Sequence, residues 1–81
     1  MLLTLVDHET FDYRDPSYST LSEMSSDHLP AVGDFIKDGH QLSSFTVYRV
    51  EGRVFRSRPA KNGETADFTR VYLVVSTQAT Y

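Results

Sequence analysis

Residues 45–56 read FTVYRVEGRVFR, and residues 67–77 read DFTRVYLVVST. Both stretches are rich in β-branched and aromatic residues that alternate with polar ones, a pattern typical of β-strands with one buried face. Between them lies the pair Asn62-Gly63, which is typical of a type I′ hairpin turn. The sequence therefore predicts two long strands that fold back on each other as a hairpin.

Strand alternation assigns the side chains of this hairpin to two faces. The mostly apolar face is the predicted core and collects Tyr48, Val50, Val54, Thr69, Val71, Leu73 and Val75. The opposite face collects Arg49, Glu51, Arg53, Phe55, Phe68, Arg70, Tyr72 and Val74. Gly52 has no side chain to pack and marks a bulge or sharp bend. Beyond such a bulge, the two faces of that strand are exchanged.

The rest of the chain predicts shorter elements separated by turns. Leu2–Val6 and Phe35–Lys37 are strand candidates, and the second leads into the turn pair Asp38-Gly39. Asp15-Pro16 is typical of a helix start, but the serines that follow compete for backbone hydrogen bonds. Residues 16–25 are therefore expected to form one short helix or an ordered loop. The overall prediction is a mainly β fold, a small antiparallel and strongly bent sheet or barrel.

A family resemblance is carried by turn and strand residues in a fixed order. They run Leu29-Pro30-x-Val32-Gly33-Asp34-x-Ile36, then Gly39, then Tyr48-x-Val50 and Val71-x-Leu73-x-Val75. In this order, residues 29–75 resemble short barrel-like, SH3-like proteins of bacteriophages and bacteria. The resemblance implies an SH3-like or related small barrel and a mobile-element origin. It implies no catalytic residue, and the first 28 residues lie outside it.

Length and composition limit the classes of protein to which this chain can belong. Its 81 residues are 40% hydrophobic and 23% charged, which fits one small folded domain over residues 1–81. The absence of Cys excludes disulfides, thiolate zinc sites and iron–sulfur clusters. No apolar run approaches the roughly 20 residues of a membrane helix, and the first residues lack the pattern of a secretory signal. We expect a cytoplasmic protein that does not bind membranes.

The sequence does not indicate catalysis. His8, His28 and His40 show no metal-ligand spacing, and no Ser lies in a Gly-x-Ser-x-Gly elbow. The four Gly are scattered turn residues rather than a phosphate-binding loop. A domain of this length also buries too small a core to enclose a catalytic pocket easily. The prediction is a binding protein with no catalytic residues, no metal and no cofactor.

The charges are divided unevenly along the chain. Residues 1–40 carry eight acidic and two basic side chains, whereas residues 41–81 carry three acidic and six basic ones. The basic half contains the predicted partner-binding site, which comprises Arg49, Arg53, Phe55, Phe68, Arg70 and Tyr72. Arg and aromatic residues are enriched at protein interfaces. The structural alternative is that the Arg stems merely cover rings that do not fit inside the core.

Three functional hypotheses follow from these features. The first is a protein-interaction module, of phage or mobile-element type, that binds and modulates a host factor. The second is a small barrel that binds single-stranded nucleic acid, with bases stacked on the rings and Arg side chains on the phosphates. The third is an inhibitor whose acidic N-terminal half presents carboxylates to a basic groove. Free sheet edges also allow a homodimer.

Overall fold

The computed structural model describes residues 1–41, 44–58 and 67–81, without the side chains of residues 40, 41, 58 and 67–69. Five strands form one sheet: β1 (Leu2–Asp7), β2 (Thr20–Ser25), β3 (Phe35–Gln41), β4 (Ser44–Arg58) and β5 (Asp67–Thr80). The sheet curls strongly into a half-barrel. The prediction of a mainly β, small and strongly bent sheet is confirmed.

The strand order is β2-β1-β5-β4-β3, and the sheet is mixed rather than purely antiparallel. The central pair, β1 and β5, is parallel, and its register places Leu3 opposite Val71 and Leu5 opposite Leu73. The other three pairings are antiparallel, as expected. Both strands are buried on each face in their middle, at residues 3–6 of β1 and 71–73 of β5, and a strand buried on both faces belongs inside a sheet. The returning chain therefore inserts β5 beside β1.

The segment predicted as helix or loop divides into two elements. Pro16–Ser19 forms a single 3₁₀ turn, in which the Ser19 hydroxyl donates to the Pro16 carbonyl at 3.2 Å. Residues 20–25 are not helical and form strand β2, which corrects the prediction for this part of the chain. The physical reason is long-range: β2 pairs with β1, and Met24 lies opposite Leu3. That pairing satisfies the backbone hydrogen-bonding groups of residues 20–25. Local propensity alone did not determine their conformation.

The predicted turn at Asp38-Gly39 is also corrected, because β3 continues through both residues. Gly39 has a φ of 146°, and a register shift separates Asp38 from Gln41 in the pairing with β4. Its positive φ therefore serves a strand irregularity rather than a tight hairpin turn. The predicted turn at Asn62-Gly63 lies outside the described residues.

The inner face of the half-barrel holds the core. Its buried side chains are Leu3, Leu5, Tyr48, Val50, Val71, Leu73 and Val75, with Met24, Leu29 and Ile36 packed against them. Five of these residues were predicted to belong to the core of the hairpin. Each fully buried aliphatic side chain of this size contributes roughly 1.5–3 kcal/mol relative to its exposed state.

A bulge between Val50 and Gly52 exchanges the faces of β4. Val50 lies opposite Val75, but Gly52 lies opposite Val74, so one extra residue, Glu51, is inserted. Beyond it, Arg53 pairs with Leu73 and Phe55 pairs with Val71, which places both side chains on the inner face. Val54 pairs with Tyr72 and Arg56 with Arg70, which places both on the outer face. The predicted faces are thus correct before Gly52 and reversed after it.

Candidate functional site

The outer face of the sheet is partly covered by residues 8–19, here named the outer segment. Its path is set by two local turns that follow aspartates. The Phe11 amide donates to the Asp7 carbonyl at 2.9 Å, and the Arg14 amide donates to the Asp12 carboxylate at 2.9 Å. Asp side chains stabilise such turns because their oxygens accept a hydrogen bond from the backbone two residues on. The segment therefore crosses the sheet as turns rather than as a sixth strand.

The outer segment buries the centre of the outer face. The Phe11 ring lies 6.1 Å from the Tyr72 ring and 4.9 Å from the Tyr13 ring, in an edge-to-face arrangement with Tyr13. Tyr72 is only 7% exposed, and Thr4 and Val6 are fully buried. The prediction that the face around Tyr72 is exposed to solvent is therefore corrected. Tyr72, Thr4 and Val6 form a second, smaller core beneath Phe11.

A groove lies between the outer segment and the far half of β4, and we name it the outer groove. Its volume is about 370 Å³. One wall comes from the outer segment, the other from β4, with Tyr72 between them; the lining residues are Tyr13, Arg14, Pro16, Val54, Arg56 and Tyr72. The Tyr13 side chain is 76% exposed, so its ring is a wall that solvent and a ligand can reach. The groove combines apolar surface with two cationic side chains.

Carboxylates lie close to several arginines of the outer face. Arg49 lies 3.6 Å from Glu51, and Arg70 lies 3.7 Å from Glu23. Arg14 lies 3.3 Å from Asp12, and its guanidinium and amide both donate to that carboxylate. The backbone hydrogen bond from Arg14, followed by its side-chain hydrogen bond, lowers the pKa of Asp12 below its ordinary value. The outer face is thus mixed in charge rather than uniformly basic.

The structure places five of the six predicted site residues and divides them between two faces. Arg49, Arg70 and Tyr72 lie on the outer face, and the Arg70 guanidinium is 5.9 Å from the centre of the Tyr72 ring. Arg53 and Phe55 stack on each other at 5.7 Å on the inner face, where the core ends. The Phe68 side chain lies outside the described part of the chain. The predicted contacts between Arg and rings exist, but on opposite sides of the sheet.

Sequence reasoning missed five of the residues that line the outer groove, namely Tyr13, Arg14, Pro16, Val54 and Arg56. A signal existed for two of them, because the bulge expected at Gly52 puts Val54 and Arg56 on the face of Tyr72. The outer segment had no such signal, since its position depends on the packing of Phe11 against Tyr72.

Comparisons with known proteins yield no relative. No protein-family model, no curated protein and no solved structure matches this chain. Within residues 1–41, 44–58 and 67–81, no group of three or more His, Asp or Glu side chains is arranged to hold a metal ion. In that same part of the chain, no helix has the length and apolarity needed to cross a membrane.

Proposed function

We propose that this chain is a protein-interaction module whose partner docks in the outer groove. The observation that carries the proposal is the lining of the groove, in which two tyrosines, a proline and a valine lie beside two arginines. Tyr and Arg dominate the binding energy of protein interfaces, because they offer a large contact area together with hydrogen-bonding groups. The fold holds them on the hydrogen-bonded sheet and on a segment shaped by turns.

The chemistry of the groove indicates what the partner presents. Pro16, Val54 and the Tyr13 ring offer contact to an apolar side chain, and the volume of about 370 Å³ accommodates a few side chains. Arg56 on β4 favours a carboxylate beside that apolar group, and Arg14, whose guanidinium also donates to Asp12, adds a second cation on the opposite wall. The partner is therefore a protein segment that places an acidic residue next to a bulky apolar one. We further propose that this segment comes from a host factor, on the expectation that residues 29–75 belong to a phage-type protein.

A displayed library of random peptides tests this function directly. Selection on the wild-type chain is expected to enrich peptides that contain Asp or Glu beside a large apolar residue. Arg56→Glu and Tyr13→Ala are expected to lose these peptides, because they reverse a charge and remove a wall of the groove. Arg53→Glu is the matched control, since it makes the same change on the same strand but on the inner face. Enrichment that is unaffected by Arg56→Glu, or lost equally in Arg53→Glu, would contradict the proposal.

Single-stranded nucleic acid is the second candidate ligand of the outer face. It is favoured by the stack of Arg70 on Tyr72 and by the arginines of the groove. It is disfavoured by the carboxylates beside Arg14, Arg49 and Arg70 and by the net charge of −3, because phosphate neutralisation supplies most of the affinity for nucleic acid. A fluorescence titration with a short oligonucleotide at low salt decides between the two. Saturable binding that weakens steeply with salt would favour nucleic acid.

A further inference from the structure

Strand β2 forms an edge of the sheet, so some of its backbone hydrogen-bonding groups point to β1 and the others point away from the sheet. The Ser26 amide donates to the Met1 carbonyl at 3.0 Å, so Ser26 faces β1. The direction of the backbone N–H and C=O groups alternates along an antiparallel ladder. Those of Met24 therefore also point to β1, whereas those of Glu23 and Ser25 point away from the sheet. Ser25 and Glu23 are exposed, and no described residue pairs with this side of β2.

The opposite edge, β3, differs from β2 in features that oppose strand pairing. Its register shifts after Asp38, and Gly39 takes a positive φ. Lys37 is exposed, and its ammonium lies 4.2 Å from the centre of the Phe45 ring. Irregular backbone and lysines on edge strands are devices by which proteins prevent edge-to-edge association. Strand β2 has no lysine, and its one register shift lies at its start, between Thr20 and Ser22, so residues 22–25 pair regularly with β1. Its charged residue, Glu23, lies beside Arg70.

We propose that β2 is a self-association site, at which it pairs antiparallel with β2 of a second copy of this chain. The two-fold register that fits places Met24 of one copy opposite Met24 of the other and Glu23 opposite Ser25. Shifting the strands one way places Glu23 opposite Glu23, and shifting them the other way places Glu23 opposite Asp27. Both alternatives bring carboxylates together, which destabilises a strand pair. Of these three registers, only the first keeps the carboxylates apart.

This register also joins the two cores. Met24 lies on the inner face, opposite Leu3, and packs partly buried against the core of its own chain. Residues opposite each other in an antiparallel pair lie on the same face, so the two Met24 side chains meet and the inner faces become continuous. The Glu23–Ser25 pairs exchange about four new backbone hydrogen bonds. The outer groove is lined by the outer segment, β4 and β5 and by no residue of β2, so this inference is independent of the proposed function.

Sedimentation equilibrium and native mass spectrometry of the full chain, from micromolar to millimolar concentration, test the proposal. A concentration-dependent dimer that stops at two copies is expected. A monomer at every concentration would overturn the proposal. So would oligomers that grow without limit, because they would mean that β2 pairs head-to-tail with β3 instead of with itself.

Charge substitutions at Ser25 test the register, since Ser25 is exposed and the fold tolerates a longer side chain there. Ser25→Lys places a cation opposite Glu23 twice per dimer and should tighten the dimer between about 2-fold and 30-fold. Ser25→Glu should weaken it by a similar factor, because it places a carboxylate opposite Glu23 twice per dimer. Equal dimerisation of the two variants would overturn the register.

Proline substitutions test which edge is used. Ser25→Pro removes an amide that points away from the sheet and leaves the pairing with β1 intact, so it should abolish the dimer. Lys37→Pro is the matched control, because the Lys37 amide points outward from β3, and it should leave the dimer unchanged. Circular dichroism establishes that each variant is folded. The Ser25→Lys and Ser25→Glu pair decides the question if a proline variant unfolds, and loss of the dimer in Lys37→Pro alone would overturn the proposal.

Discussion

Replacing Tyr72 with Ala tests whether the outer segment forms a genuine second core. The ring is 7% exposed and lies under Phe11 at 6.1 Å. Burial of a tyrosine side chain removes roughly 150–250 Å² from water, which corresponds to roughly 4–6 kcal/mol as an upper estimate. Measured truncations of buried aromatic residues cost about 3–5 kcal/mol. We therefore expect Tyr72→Ala to lower the free energy of unfolding by about 3 kcal/mol or more.

Tyr13→Ala is the matched control, because it removes the same side chain from the same aromatic cluster at a position that is 76% exposed. Its expected effect on the free energy of unfolding is within about 0.5 kcal/mol. Urea denaturation followed by circular dichroism measures both variants. The loss in Tyr72→Ala should also lower the melting temperature by at least about 12 °C in a domain of this size. A change below about 1 kcal/mol in Tyr72→Ala would refute the reasoning, because it would mean that the outer segment does not cover the ring.

Three further predictions concern single residues. Thr4→Val should raise the free energy of unfolding by about 1 kcal/mol, because the fully buried Thr4 hydroxyl has no hydrogen-bond partner among the described residues. A urea titration measures this change, and a loss of stability would contradict the prediction. Gly39→Ala should cost about 1–3 kcal/mol, because φ is 146° and a new Cβ would lie 2.7 Å from the Ser44 carbonyl oxygen, whereas Gly52→Ala, which meets Val74 at 3.9 Å, should cost less. The lowered pKa of Asp12 means that its stabilising contribution is complete above the ordinary carboxyl pKa of about 3.9 and is lost as the pH falls through the lowered value. The Arg14 amide resonance should shift in that acidic range in the wild type and stay constant in Asp12→Asn.

The late hairpin could be predicted from sequence because its alternation is long and regular. Five of its residues, Tyr48, Val50, Val71, Leu73 and Val75, lie in the core as expected. The exchange of faces at Gly52 could be anticipated but not decided, since a glycine in a strand is compatible with either a bulge or a bend. One inserted residue then reversed the positions of Arg53 and Phe55.

Long-range pairing explains what could not be predicted. Residues 20–25 have the composition of a loop and become a strand only because β1 offers them a partner. The parallel contact between β1 and β5 depends on how the whole chain is routed, which no local pattern records. The outer groove depends on both, because the outer segment connects β1 to β2 and packs Phe11 on Tyr72 of β5.

The outer groove depends on the face exchange in β4, because this exchange brings Val54 and Arg56 to the groove. Cross-strand nuclear Overhauser effects test the exchange most directly. The His8 amide donates to the Val75 carbonyl, so the backbone N–H and C=O groups of Val75 and Leu73 point to β1. Arg53 and Leu73 therefore form a pair of opposite residues that exchange no backbone hydrogen bonds with each other. Such pairs have the closest Cα atoms, about 4.5 Å apart. A strong effect between the Hα protons of Arg53 and Leu73 is predicted. A strong effect between Gly52 and Leu73 instead would mean a regular ladder without the bulge and would contradict the account.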